Sequence, residues 1–186
     1  MIEPWSGAPY HPRDWQFYAL PKIIEQIKQG KKPIVSATMG SGKSVLIAEL
    51  IWVALQKLKE NKCIIVAAPR QHLVEQLAET ISIRVGAENV GRYYAHEKVL
   101  GLPVIVCCYA SLGKLWRYLD KDCSLFVGDE VHGTESEVFK IAFERLCPAC
   151  AVGFTATPFR SNENETLSLW DSVAYRYTTE DALRDK

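Results

Sequence analysis

Short apolar runs alternate with amphipathic segments along this chain, and that alternation limits the folds open to it. The runs lie at 34–37, 63–68, 104–108, 124–128 and 151–154. Each is β-branched in part and none alternates with period two, which is how strands covered on both faces read. Between them apolar residues recur at helical spacing: Leu20, Ile23, Ile24 and Ile27; Leu73, Val74, Leu77 and Ile81; Leu112, Leu115, Trp116 and Leu119; Val138, Phe139, Ala142, Phe143 and Leu146. The stretch 45–58 is apolar almost all round, as suits a helix packed deep against a sheet. The chain's 186 residues, 48% of them hydrophobic, suffice for one domain with a proper core. The expected fold is therefore α/β, with a mainly parallel sheet flanked by helices. In such sheets ligands bind beyond the carboxyl ends of the strands, so a functional motif should follow a strand directly. Three motifs do.

The first is Ala37-Thr-Met-Gly-Ser-Gly-Lys-Ser44, between the run at 34–37 and the long apolar helix. Its spacing is that of a Walker A loop. Glycines let successive backbone N–H groups turn toward one anion, and the following helix adds the positive end of its dipole. Thr38, Met39, Gly40, Ser41, Gly42, Lys43 and Ser44 would cradle the phosphates. Lys43 would reach the β- and γ-phosphates and the Ser44 hydroxyl would ligate Mg²⁺. Ala37 stands where the strict motif has Gly, so the first turn must be one that alanine tolerates.

The second motif, Asp129-Glu130-Val131-His132, follows the run at 124–128. Two adjacent carboxylates at the end of a buried strand repel each other and resist desolvation, and a bound Mg²⁺ relieves both problems. The matching roles are Asp129 as metal ligand through water, Glu130 as the group that polarises the attacking water, and His132 as a γ-phosphate sensor or relay.

Through these two motifs the chain resembles superfamily 2 helicases. Asp129-Glu130-Val131-His132 looks like their DExH box. Thr155-Ala156-Thr157-Pro158-Phe159-Arg160, after the run at 151–154, resembles their Ser/Thr-Ala-Thr motif. Its Pro-Phe-Arg extension is similar to the DNA-directed branch related to type III restriction helicase subunits and DNA-repair helicases, more than to RNA-directed DEAD-box proteins. Upstream, Arg13-Asp-Trp-Gln16 looks like the Arg-x-x-Gln element whose Gln reads the adenine edge; the alternative is that Trp15 and Gln16 simply begin a helix. Pro69, Arg70 and Gln76 match motif Ia along the nucleic-acid backbone, or are solvated helix residues. Tyr109 and Ser111 match an element that touches the nucleic-acid strand, or cap a helix. Thr155 and Thr157 take the coupling positions, and Arg160 faces a phosphate or a surface acid. His11, His72 and His96 have no second ligand in view.

The resemblance implies a RecA-like P-loop NTPase domain over residues 13–170, preceded by an extension at 1–12. A lead-in to an interdomain linker would occupy 171–186. It implies ATP and Mg²⁺ as cofactors, and DNA, with RNA possible, as partner. Family members carry a second RecA-like domain with an arginine finger, and no such segment follows Arg160. The chain is therefore expected to be a monomeric fragment that binds nucleotide, hydrolyses it slowly and grips nucleic acid poorly. An RNA helicase domain and a short non-catalytic ATP-binding or regulatory protein are the alternatives.

Composition narrows the field further. Lys plus Arg equals Asp plus Glu at 22 each, so a nucleic-acid contact must come from a local patch. Residues 1–10 hold no apolar run, and the stretch 45–55 contains Glu49 and is too short to span a bilayer, so neither a signal peptide nor a membrane span is expected. Cys63, Cys107, Cys108, Cys123, Cys147 and Cys150 fall mostly in apolar runs, as reduced thiols of a cytoplasmic protein would. Cys147 and Cys150 form a CxxC pair, but a zinc site needs two further ligands at matching spacing and none is evident.

Overall fold

The computed structural model describes residues 3–133, 136–156 and 169–185. In chain order the elements are α1 (Asp14–Lys28), β1 (Pro33–Ala37), α2 (Lys43–Leu55), β2 (Lys62–Ala68), α3 (Gln71–Val85), β3 (Val90–Tyr94), β4 (Glu97–Lys98), β5 (Val104–Cys108), α4 (Tyr109–Leu115), β6 (Asp122–Asp129), α5 (Glu137–Leu146), β7 (Cys150–Thr155), β8 (Ser172–Tyr177) and α6 (Thr179–Arg184). One sheet holds the described strands in the order β4-β3-β5-β2-β6-β7-β1-β8. Every pairing is parallel except the β3–β4 hairpin.

Strand side chains alternate between two cores. In β2, Ile64, Val66 and Ala68 enter the core beneath α1, α2 and α3, while Cys63, Ile65 and Ala67 enter the one beneath α4 and α5. Both faces are apolar, so the strand reads as an uninterrupted run. α2 is fully buried at Leu46, Ile47, Ala48 and Ile51, as its unbroken apolar sequence requires. Among the described residues no helix is long and apolar enough to cross a membrane.

Two parts of the sheet lack a clean apolar signature. β3 is Val-Gly-Arg-Tyr-Tyr, and Gly91 is required there because a Cβ would strike the Val99 carbonyl of the returning arm. β8, in the stretch expected to lead toward a linker, pairs with β1 as the edge strand of the same sheet. Its Tyr177 ring stacks on Trp15 at 5.0 Å.

The N-terminal extension is docked. The Trp5 N–H donates to Glu49 Oε1 at 2.7 Å, and Arg84 donates to the Ser6 carbonyl at 3.2 Å. Glu49 and Arg84 form a two-point ion pair at 2.7 and 3.1 Å, with side chains 0% and 4% exposed. The guanidinium also lies 4.0 Å over the Trp52 ring. Removing one partner of such a pair strands a buried charge. Arg84→Met should therefore cost about 3–5 kcal/mol in urea unfolding, and adding Glu49→Leu should restore much of the loss.

Candidate nucleotide-binding site

The strand order sets the site. β6, β7 and β1 are neighbours, with Asp129 beside Phe154 and Thr155 beside Ser36. The acidic motif, the Thr155 motif and the glycine loop thus emerge side by side at one end of the sheet.

Gly40 and Gly42 take the left-handed backbone that lets the loop curl, at φ 73° and 94°. Ala37 ends β1 with its φ outside that region, so it fits where the strict motif has Gly. Three consecutive loop carbonyls are held by donors from the start of α1. Arg13 donates to Gly40 O at 3.2 Å, Trp15 Nε1 to Ser41 O at 3.1 Å, and Gln16 Nε2 to Gly42 O at 2.8 Å. Gly42 caps α2, whose first-turn N–H groups at Lys43 and Ser44 have no carbonyl one turn back and carry the positive helix end. Thr38 donates its N–H to the Tyr177 carbonyl at 3.1 Å, Met39 is 83% exposed, and Ser44 is half-buried.

Gln16 joins the start of α1 to the glycine loop. It is 1% exposed, and its amide is occupied at both ends, because Oε1 accepts the Arg13 N–H at 2.7 Å. It thereby braces the loop. Trp15, its neighbour, ties the loop to β8 through its bond to the Ser41 carbonyl and its stacking on Tyr177.

Lys43 Nζ donates to the Ala37 carbonyl at 3.1 Å and pairs with Glu130 Oε1 at 3.3 Å. The other Glu130 oxygen accepts the Ala156 N–H at 3.1 Å and lies 3.3 Å from His132 Nδ1. The same His132 nitrogen is 3.3 Å from Thr155 Oγ1. One carboxylate thus touches all three motifs. Glu130 itself sits at φ 52°, a left-handed conformation that costs a non-glycine residue about 1–2 kcal/mol.

Tyr109 helps hold that turn. Its hydroxyl donates to the Asp129 carbonyl at 2.6 Å and its ring packs edge-on to Phe139 at 5.3 Å. A Cβ at Gly128 would come within 2.9 Å of this hydroxyl, so the glycine admits the tyrosine. Expected on the nucleic-acid path, Tyr109 spends its polar atom inside the domain. Neither does Ser111 cap α4: the cap is Cys108, and Ser111 lies half-buried in the first turn.

Asp129 Oδ1 is buried and has no hydrogen-bond partner among the described residues. Burial first, then the charge of Glu130, raise its pKa to about 6, and Lys43 and His132 draw it back. A desolvated carboxylate oxygen without a donor fits a hard divalent cation.

The remaining expected residues are scattered. Pro69 and Arg70 are exposed at the carboxyl end of β2, and Gln76 is exposed on α3. Thr157 and Arg160 lie outside the described residues.

Residues 9–160 match the family of the type III restriction enzyme, res subunit. The type I restriction enzyme EcoAI endonuclease subunit of Escherichia coli is 27% identical over 97% of this chain and 23% of its own length. A 51.5 kDa protein of a Lactococcus phage (isolate 7-9) is 23% identical over 82% of this chain and 30% of its own. The chain thus spans about a quarter to a third of these relatives. Among solved structures, the Sulfolobus solfataricus SWI2/SNF2 ATPase core in complex with dsDNA aligns with a TM-score of 0.72 at 21% identity, over 91% of this chain and 36% of that one. The Pyrococcus furiosus Hef helicase domain aligns at 0.73 and 20%, over 93% and 39%. At these identities the likeness establishes the fold, a RecA-like domain.

Two outcomes follow from the geometry. Gly42→Ala forces an L residue to φ 94° and sets a Cβ 2.8 Å from Gln16 Nε2. Calorimetric titration should show ATP affinity reduced at least about tenfold, since the loop must shift. Asp129 has a raised folded pKa, so its favourable share of stability is complete below the unfolded value of 3.8 and is lost as pH rises through about 6. Asp129→Asn should therefore melt above the wild type near pH 8, and the gap should close near pH 4.

Proposed function

The chain belongs to the type III restriction enzyme res subunit family, and from that premise we propose that it is the ATP-hydrolysing motor domain of a DNA translocase or helicase. One observation carries the reading: the loop lysine, Lys43, lies 3.3 Å from Glu130 of the acidic motif, with Asp129 beside it. A triphosphate on the loop would meet the groups that its hydrolysis needs.

The roles follow from chemistry. Loop amides and Lys43 hold the phosphate tail, drawing the lysine away from Glu130. Glu130, released, takes a proton from water as that water attacks the γ-phosphorus and the bond to the β-phosphoryl oxygen breaks, giving ADP and inorganic phosphate. Ser44 and Asp129 would hold Mg²⁺, which neutralises charge on the phosphate oxygens when bound. His132 and the Ala156 N–H sense that carboxylate and pass its state to Thr155, Thr157 and Arg160, the coupling segment. Arg70 and its neighbours would meet the nucleic-acid backbone.

DNA is favoured over RNA because curated relatives include a restriction endonuclease subunit, and the aligned SWI2/SNF2 core is in complex with dsDNA. We further propose a first RecA-like domain that, beyond the expected limit at residue 170, takes in β8 as its edge strand, and a second such domain that would close over the site and supply an arginine finger. Such a finger is worth on the order of 10³–10⁵ in rate, so residues 1–186 by themselves should bind ATP but turn it over slowly.

Lys43→Ala should remove most ATP affinity in a fluorescent-nucleotide titration. In the two-domain motor, Glu130→Gln should keep binding and lower turnover at least about a hundredfold. Normal turnover in that variant would remove Glu130 as the base. Stimulation of the same motor by RNA but not DNA would reverse the assignment of partner.

A further inference from the structure

Tyr109 is the first residue of α4, at the carboxyl end of β5, yet its hydroxyl meets a strand that is not a neighbour of β5. The sheet runs β5-β2-β6, so the side chain crosses the end of β2 to reach Asp129. Small residues leave it room. Ala67 of β2 stands in register with both Cys107 and Gly128, and a Cβ at Gly128 would come within 2.9 Å of the hydroxyl. The ring is clamped edge-on against Phe139 at 5.3 Å, so the hydroxyl is delivered to one place.

There it meets one end of the peptide plane that joins Asp129 to Glu130. The Asp129 carbonyl and the Glu130 N–H turn together with that plane, and its orientation sets φ at Glu130. That angle is 52°, a value that a glutamate leaves unless its surroundings hold it. The Tyr109 hydroxyl, donating to the carbonyl at 2.6 Å, opposes the turn back to ordinary backbone. Burial, then the charge of Asp129, keep the phenol pKa well above its ordinary 10, so it stays a donor across the neutral range.

The consequence reaches the carboxylate. Glu130 lies 3.3 Å from Lys43, 3.1 Å from the Ala156 N–H and 3.3 Å from His132, and all three contacts require its backbone in this turn. A shift of about an ångström in a group that must meet a reacting atom is costly in rate.

We propose that Tyr109 is a positioning residue for ATP hydrolysis: its hydroxyl pins the Asp129–Glu130 peptide and so aims the Glu130 carboxylate at the attacking water. It acts through Glu130, so the proposal rests on the reading of Glu130 as the base and adds to it the group that holds that base in place.

Tyr109→Phe keeps the ring and removes only the hydroxyl. It should retain the wild-type circular dichroism and melt a few degrees lower. The test is single-turnover hydrolysis of γ-labelled ATP with Mg²⁺ by residues 1–186 in excess, beside a fluorescent-nucleotide titration. Tyr109→Phe should slow hydrolysis about tenfold and keep ATP affinity within about twofold. In a Glu130→Gln background the same change should cost less than about twofold, because the group it aims is gone. Ile81→Val, a change in the core on the other face of the sheet, serves as the stability control and should keep the wild-type rate. A wild-type rate in Tyr109→Phe beside a slowed Glu130→Gln would overturn the positioning role and leave Glu130 as the base. Equal losses in rate and affinity, a full further loss in the double variant, or the same slowing in Ile81→Val would overturn it too. Glu130→Gln at the wild-type rate, or a wild type no faster than the buffer blank, would overturn the reading of Glu130 and the positioning role with it.

Discussion

Lys43 and Glu130 hold each other across the end of β7, and the rest of the site is arranged around that contact. Neither residue is placed by its own helix or strand alone. Lys43 depends on a loop that turns through two left-handed glycines, and Glu130 on a backbone that a glutamate would not choose. Each is supported by groups elsewhere in the chain. α1 supplies three donors to the loop carbonyls, while Tyr109 and Ala156 supply donors to the acidic turn. The parallel sheet brings these supports together because it sets β6, β7 and β1 side by side.

The electrostatics have the same logic. In a solvated loop, Asp129 would ionise readily. Here burial disfavours the charge on Asp129, and Glu130 adds to the penalty. Glu130 is compensated by Lys43, while an oxygen of Asp129 remains without a donor among the described residues. Such a pair is costly to the fold on its own and becomes favourable once cations arrive, which is how a binding site stores its preference for ligand.

Much of this was legible from residue order. Strands buried on both faces write themselves as unbroken apolar runs, so β1, β2, β5, β6 and β7 stood out. A glycine loop between such a strand and an apolar helix leaves few other readings. The edges were harder. β3 carries Gly91 and Arg92, because it lies next to the edge, flanked on one side by the two-residue β4, and must admit a returning arm. Individual side-chain roles were harder still. An amide can pair with a base or with a carbonyl, and only the folded chain reveals that Gln16 lies against Gly42. Tyr109 likewise looked like a surface contact, since nothing local says that a strand distant in sequence will offer it a carbonyl. The one local hint was Gly128, whose missing side chain makes room for that hydroxyl.

The buried Glu49–Arg84 pair has a practical consequence for the first dozen residues. They look expendable, since the recognisable motifs begin at Arg13. Yet the backbone at Trp5 and Ser6 completes the hydrogen bonding of both charged groups. Trimming the chain at Arg13 would expose one rim of the carboxylate and let water into the seam between α2 and α3. The seam carries the helix on which the phosphate loop is mounted, so a shortened version would lose firmness in its anion grip although no motif had been touched.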